Sequence, residues 1–335
     1  MIRTAILGAS GYVGGELLRL LAAHPELEPA KLFGESKAGR KVAGVHPHLA
    51  PLYGEIEFEL FDDEALDGLD LVFAALPHGH SQQLAAKILE RGIPFVDLGA
   101  DFRLDDAATY ERWYGHAHDA PDLLGEFVYG IPELNRAAIR NARAVAAAGC
   151  YATAAIIALR PLVDSGLVKP RGLIVDAASG ASGAGREAKE STGFSTVDGS
   201  FSAYGLLNHR HTAEMEMALS ATVMFTPHLV PMTRGILATC YGEATGPCDP
   251  LQALHGAYGL EPFVHITEQP PATKWVLGSN GVQLTARYDE RTGRVLVLSA
   301  IDNLGKGAAG QMIQCANLML NLDERMGLST IGVYP

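Results

Sequence analysis

The sequence predicts an α/β protein in two parts, a parallel-sheet half followed by an α+β half with a mixed sheet. Three observations predict it. Residues 2–7 form an apolar run that enters Gly8-Ala9-Ser10-Gly11-Tyr12-Val13-Gly14 and then leucines at helical spacing. Further short apolar runs, 69–76 and 94–99, alternate with helical patterns up to Cys150, as strands buried on both faces of a parallel sheet do. Beyond Gly172 a two-residue alternation takes over, clearest in Val282–Ile301 on either side of the turn Asp289–Gly293.

A chain of 335 residues is long enough for two domains with substantial cores. Its 48% hydrophobic and 19% charged residues describe an ordinary globular composition, and a net charge of −12 argues against a nucleic-acid partner. The four cysteines, Cys150, Cys240, Cys248 and Cys315, have neither zinc spacing nor the density of a disulfide framework. They are expected to be reduced, in a cytoplasmic protein. The apolar start is too short for a signal peptide. The longest uncharged stretch, between Arg143 and Arg160, is rich in Ala and Gly and short of a membrane span, so no membrane association is expected.

Taken in order, the first strand, glycine turn and helix supply the context that a dinucleotide fingerprint requires, here spaced GxxGxxG. This is a Rossmann-type beginning. The glycines let the backbone approach a pyrophosphate, and the helix N-terminus supplies donors. Gly8, Ser10, Gly11, Tyr12 and Val13 are therefore the expected pyrophosphate site. A second strand is predicted near Ala30–Gly34. Beyond it Glu35 is suited to ribose hydroxyls, whereas Ser36, Lys37 and Arg40 can receive a 2′-phosphate, which favours NADP over NAD. The run 69–76 ends at Pro77 and the run 94–99 leads to Arg103, the strand ends where open α/β sheets bind ligands. The pairs His46/His48, His78/His80 and His116/His118 lie in loops without a carboxylate or thiolate set beside them, so no metal site is expected.

The apolar run Ala144–Ala148 delivers Cys150 to a glycine corner, and a helical pattern follows that ends near Ser165-Gly166. That places the thiol at a helix N-terminus, where free N–H groups and the dipole favour a thiolate nucleophile. The strand Gly172–Ala178 opens into a second glycine-rich loop, 179–186, able to wrap a cofactor ring or phosphate with backbone donors. Next come Asn208-His209-Arg210-His211-Thr212, a helix predicted to start near Ala213, and strands at about 229–232, 235–241 and 263–267. The final helix, containing Met312, Ile313 and Ala316, is expected to return to the nucleotide part.

A nucleotide half, a thiolate and a histidine describe one chemistry. An acyl phosphate acylates the cysteine, a reduced nicotinamide reduces the thioester, histidine moves protons and an arginine holds the phosphate. The motifs GASGYVGGELLRLL (8–21), ALPHGHS (75–81), DLGADFRL (97–104), GCYATA (149–154), SGASGAGR (179–186), HRHTAEM (209–215) and DNLGKGAAG (302–310) carry a resemblance. Over nearly its whole length the chain resembles the N-acetyl-γ-glutamyl-phosphate reductase family of arginine biosynthesis.

The resemblance implies a glyceraldehyde-phosphate-dehydrogenase-like fold, with residues 1–149 and 305–335 binding NADP and 150–304 forming a catalytic and dimerisation domain. It implies Cys150 as nucleophile, His209 as acid/base and Arg103 as phosphate ligand, with Ser182, Gly183 and Asn303 beside the nicotinamide and Pro77 in the cofactor site. It further implies a small-molecule acyl phosphate and inorganic phosphate as partners, and a homodimer or homotetramer. Ala152 and Ala213 stand where the family usually has proline, both in first helical turns where proline is favoured but not required.

The choice of His209 over His211 also has an electrostatic ground, since the positive end of the predicted helix beside His211 disfavours an imidazolium. His209 is expected to titrate near the working pH, leaving Arg210 for the substrate carboxylate. Competing substrates are aspartyl phosphate and the carrier-bound aminoadipyl phosphate of lysine synthesis. A non-redox Cys/His acyltransferase or thiol hydrolase would leave both glycine loops unexplained. A regulatory nucleotide-binding protein is opposed by Cys150, His209 and Arg103 occurring together.

Overall fold

Six parallel strands organise the first of two units in the computed structural model, which describes residues 1–335. They are β1 (Ile2–Leu7), β2 (Leu27–Phe33), β3 (Leu71–Ala74), β4 (Phe95–Asp97), β5 (Phe127–Gly130) and β6 (Ala144–Ala147), in the order β2-β1-β3-β4-β6-β5. Both faces are covered because successive side chains point opposite ways. Ile6, Phe73, Val96 and Val145 pack with Leu17, Leu18 and Leu21 of the helix Tyr12–Leu21 and with Met312, Ile313 and Ala316 of the helix Gly310–Met319. Ala5, Leu7, Val72 and Phe95 pack on the other face with Ala85, Ile88 and Leu89 of the helix Ser81–Glu90.

This unit comprises Met1–Ala148 and Ala308–Leu328. The last helix lies within it, but the tail does not. Residues 329–335, expected with the nucleotide half, group with the second unit because Ser329 O accepts from Asn280 N–H (2.8 Å) and Val333 N–H donates to Leu277 O (2.7 Å).

The second unit is built on seven mixed strands: β7 (Leu173–Gly180), β8 (Ser202–Ala203), β9 (Val223–Val230), β10 (Ile236–Glu243), β11 (Val264–Ile266), β12 (Val282–Asp289) and β13 (Arg294–Ile301). Their order is β11-β12-β13-β10-β7-β9-β8. β9 begins well before the expected residue 229, because Val223 starts a parallel register with Leu173 and Pro227, opposite Ala177, breaks the alternation that would have announced it. Leu173, Val175 and Ala177 are buried while Ile174, Asp176 and Ala178 are half-exposed. One sheet face therefore meets the helix Cys150–Asp164, itself apolar nearly all round, and the other stays open.

Candidate active site

In the first unit the loop after β1 is shaped for close approach. Gly8 has φ +80°, and a Cβ there would lie 2.4 Å from the Ala75 carbonyl oxygen. A Cβ on Gly14 would lie 2.5 Å from both Ala9 Cα and Gly8 O. Gly11 N–H donates to Gly8 O (3.0 Å), and Gly11 precedes Tyr12 and Val13 as the cap of their helix without offering a side-chain cap. That is the geometry in which a pyrophosphate completes a helix N-terminus, so the residues present fit a dinucleotide. Ser10 abuts the end of β2, its Cβ and Oγ each 3.2 Å from where a Cβ on Gly34 would stand. Ser36 and Lys37 follow on the tight turn Glu35–Lys37. Arg40, the third expected phosphate ligand, donates from Nη2 to Gly44 O (3.2 Å).

Pro77 is exposed beyond β3, whereas Arg103 is only 7% exposed and donates from Nη2 to Leu98 O at 2.6 Å. Between them lies a carboxylate that sequence reasoning passed over. Asp97, at the end of β4 and fully buried, accepts from Ser81 Oγ (2.8 Å) and Gly99 N–H (2.7 Å) through Oδ1, while Oδ2 has no hydrogen-bond partner. Burial, reinforced by the neighbouring Asp101 and opposed by those two donors and Arg103, pushes its pKa up to about 7. A carboxyl raised in the folded state contributes stability that is complete at low pH and is lost as pH rises through about 7. Asp97→Asn keeps an oxygen for both donors and removes the proton. Its melting temperature is expected to fall less than the wild type's between pH 5 and 8 in matched thermal scans. Parallel curves for the two proteins would rule this out.

In the second unit Cys150 is the first residue of its helix, with Gly149 as cap accepting from Thr153 N–H (2.8 Å). Two further residues seat it, neither singled out from the sequence. Glu214, fully buried, accepts from Gly149 N–H through Oε2 (2.9 Å). Gly307 lies against Cys150: a Cβ on the glycine would be 2.8 Å from Cys150 Cβ. Asn303 joins two loops by accepting from Gly235 N–H (2.7 Å) and donating to Ser182 Oγ (2.9 Å). Next to Ser182, a Cβ on Gly183 would meet Ser179 Oγ at 2.9 Å.

The histidine segment differs from expectation. The helix begins at His211, ahead of the expected Ala213, because Arg210 already has helical φ/ψ (−59°, −29°). His209 is enclosed by Tyr151, Tyr204 and Phe225, with ring centroids at 5.7, 5.7 and 5.2 Å. Its Nδ1 accepts from His211 N–H (3.2 Å), which places the proton of a neutral ring on Nε2. Burial lowers its pKa to about 3, with His211 and Arg210 adding and Glu214 opposing. The expectation that His209 titrates near working pH is thus corrected, since desolvation outweighs the helix end considered from sequence. His211 Nε2 lies 3.8 Å from Glu214 Oε1. Tyr204 Oη donates to Tyr151 Oη (3.2 Å), which donates to His228 O (2.9 Å), and burial raises both phenols, that of Tyr204 to about 12.

Two of the paired histidines are held by backbone carbonyls. His46 Nε2 lies 3.0 Å from Ala9 O, and His118 Nε2 lies 2.9 Å from Asp101 O. No three His, Cys, Asp or Glu side chains are gathered so as to hold a metal ion, and no helix is long and apolar enough to cross a membrane.

Residues 3–142 match a family model described as semialdehyde dehydrogenase, NAD binding domain, and residues 150–303 match semialdehyde dehydrogenase, dimerisation domain. The chain is 49% identical to an N-acetyl-gamma-glutamyl-phosphate reductase of Symbiobacterium thermophilum, covering 100% of this chain and 99% of the relative. It is 46% identical to the reductase of that name from Moorella thermoacetica, over 100% of both. Among solved structures it is similar to aspartate semialdehyde dehydrogenase II of Vibrio cholerae complexed with ASA, with TM-score 0.73 and 18% identity over 96% of this chain and 98% of that one. A second, aspartate semialdehyde dehydrogenase with NADP from Candida albicans, gives TM-score 0.71 and 16% identity over 96% and 98%. At such identities the likeness is one of fold.

Proposed function

The chain belongs to the N-acetyl-γ-glutamyl-phosphate reductases, and from that premise we propose that it converts N-acetyl-γ-glutamyl phosphate to N-acetylglutamate 5-semialdehyde and phosphate through a thioester on Cys150. The observation that carries the reading is the seating of Cys150, first in its helix, between the Glu214-bound Gly149 and Gly307. Full-length identity near one half supports this substrate over aspartyl phosphate, for which the fold alone speaks.

Cys150 Sγ attacks the acyl carbon, and the bond from that carbon to the phosphate oxygen breaks. Arg103 holds the departing phosphate. When bound, NADPH supplies the hydride that reduces the thioester. Collapse of the tetrahedral oxyanion then expels Cys150 as a thiolate, which regenerates the nucleophile. His209, neutral and protonated on Nε2, donates a hydrogen bond to that oxyanion. A specific observation favours a second reading of the proton carrier, the approach of His211 to the buried Glu214 carboxylate. Arg210 takes the substrate carboxylate.

Gly8, Ser10, Gly11, Tyr12 and Val13 hold the pyrophosphate, Ser36 and Lys37 the 2′-phosphate, and Pro77, Ser182, Gly183 and Asn303 the nicotinamide end. Removing the charge of Lys37 should narrow the preference for NADP over NAD by about tenfold or more, since a charge-assisted contact contributes roughly 1.5–3 kcal/mol. Comparison of kcat/KM for the two cofactors checks it. A wild type that prefers NAD would make Glu35 the controlling residue.

The partner is a second copy of the chain, docking on the open sheet face of the dimerisation domain, where Met224, Ile174, Tyr241 and Leu296 form one cross-strand row. A monomer mass in sedimentation would remove this. All four cysteines are thiols, which supports a reducing, cytoplasmic setting. The activity itself is tested by phosphate-dependent reduction of NADP by N-acetylglutamate semialdehyde, followed at about 340 nm, where the reduced ring absorbs. Turnover of aspartate semialdehyde in its place would overturn the assignment.

A further inference from the structure

We infer that Asp101 is a positioning residue for this reaction, its carboxylate tying the loop that carries Pro77 to the turn that carries Arg103. The inference rests on the cofactor and phosphate readings of those two residues given above.

Asp101 is fully buried. Its Oδ1 accepts from Gly79 N–H (2.6 Å) and Tyr110 Oη (3.3 Å), and its Oδ2 accepts from Ser81 N–H (3.1 Å). The helix Ser81–Glu90 has no side-chain cap from His80, so a carboxylate twenty residues downstream does what a local Asp or Ser otherwise does at a helix start. Gly79 has φ +88°, a conformation that aims its N–H back at Asp101 and costs a side-chain-bearing residue strain.

The other end of the tie is equally held. Asp101 O accepts from His118 Nε2 (2.9 Å), whose proton is placed there because Nδ1 accepts from Ala120 N–H (3.0 Å). Phe102 stacks on Phe127 with centroids 3.9 Å apart, and Arg103 donates to Leu98 O. Ser81 makes a second tie through Asp97. Both backbone segments are thus fixed to one carboxylate, and a change at Asp101 moves the Pro77 loop and the Arg103 turn together.

Asp101→Asn keeps the shape but offers one acceptor where two are used. KM for NADP and KM for phosphate, each measured in the oxidative direction at saturating semialdehyde, should both rise about tenfold, the factor that goes with losing a hydrogen bond to a charged acceptor. The change in kcat should be smaller. A merely structural role would lower the melting temperature and the active fraction while leaving both KM values in place, and that result overturns the inference, as does a rise in only one. Tyr110→Phe, which removes a single donor to Asp101, should raise the same two constants about threefold. If Asp101→Asn does not fold, unmoved constants in Tyr110→Phe, or a rise in only one, overturn the inference in its place. Arg103→Ala is measured alongside and should raise KM for phosphate alone. An unmoved phosphate KM in that variant would overturn the reading of Arg103 and, with it, the phosphate half of this inference.

Discussion

Cys150→Ser is expected to lose turnover by about 10⁴-fold or more, the scale on which removing a nucleophile acts, while folding and NADP binding survive. Serine fills nearly the same space, so the close approach of Gly307 to Cys150 Cβ is not disturbed. The hydrogen bond from Gly149 to Glu214 is made by backbone and is kept as well. What is lost is a sulfur that can attack as an anion and later leave as one. Alkylation gives an independent readout. Cys240 and Cys315 are buried, and burial raises the Cys240 thiol. Cys248 is half-exposed, but burial and then Asp249 raise its pKa also. Iodoacetamide should therefore label Cys150 first in the native protein, and the first label should vanish in Cys150→Ser. Uniform labelling of all four, or retained turnover in the serine variant, would make Cys150 structural.

How far the site could be read from sequence depends on whether its cause is local. Gly8 had to be glycine because a positive φ and a contact with Ala75 leave no room for Cβ, and a strand-turn-helix pattern announces such a position. The helix at Cys150 was legible for the same reason, an apolar run turning at a single glycine. Glu214 was not. It stands inside the motif 209–215, yet its role depends on a hydrogen bond to a residue 65 positions away. Asp97 and Asp101 were hidden in the same manner, since their partners at Gly79 and Ser81 follow from strand order. β5 went unseen because three of its four residues are only partly buried and Pro132 begins a helix almost at once. The start of the helix at His211 was misplaced because Arg210 offers no capping side chain to mark it.

The same correction sharpens the choice between the two histidines. His209→Asn is expected to lower kcat by roughly 10²–10⁴-fold, the range for losing a proton-donating group at the reacting atoms. Its basis is now geometric. Asparagine can keep an acceptor for the His211 N–H, as Nδ1 does in the wild type, but it has nothing that reaches where Nε2–H stands. His209 is walled by Tyr151, Tyr204 and Phe225, so water cannot readily replace that donor. Burial also settles the sign of the pH dependence. With its pKa lowered to about 3, His209 stays neutral from pH 5 upward and contributes no ionisation to the free enzyme's profile there. His211→Asn acts through different contacts, withdrawing an imidazole from the fully buried Glu214 carboxylate while the Gly149 hydrogen bond to that carboxylate persists. It should lower stability or raise KM, with kcat changing by less than about tenfold, because a positioning contact and not the donor is lost. Steady-state rates of both variants from pH 5 to 9 decide the matter. Abolished turnover in His211→Asn beside a nearly intact His209→Asn would transfer the proton-carrying role to the His211–Glu214 pair.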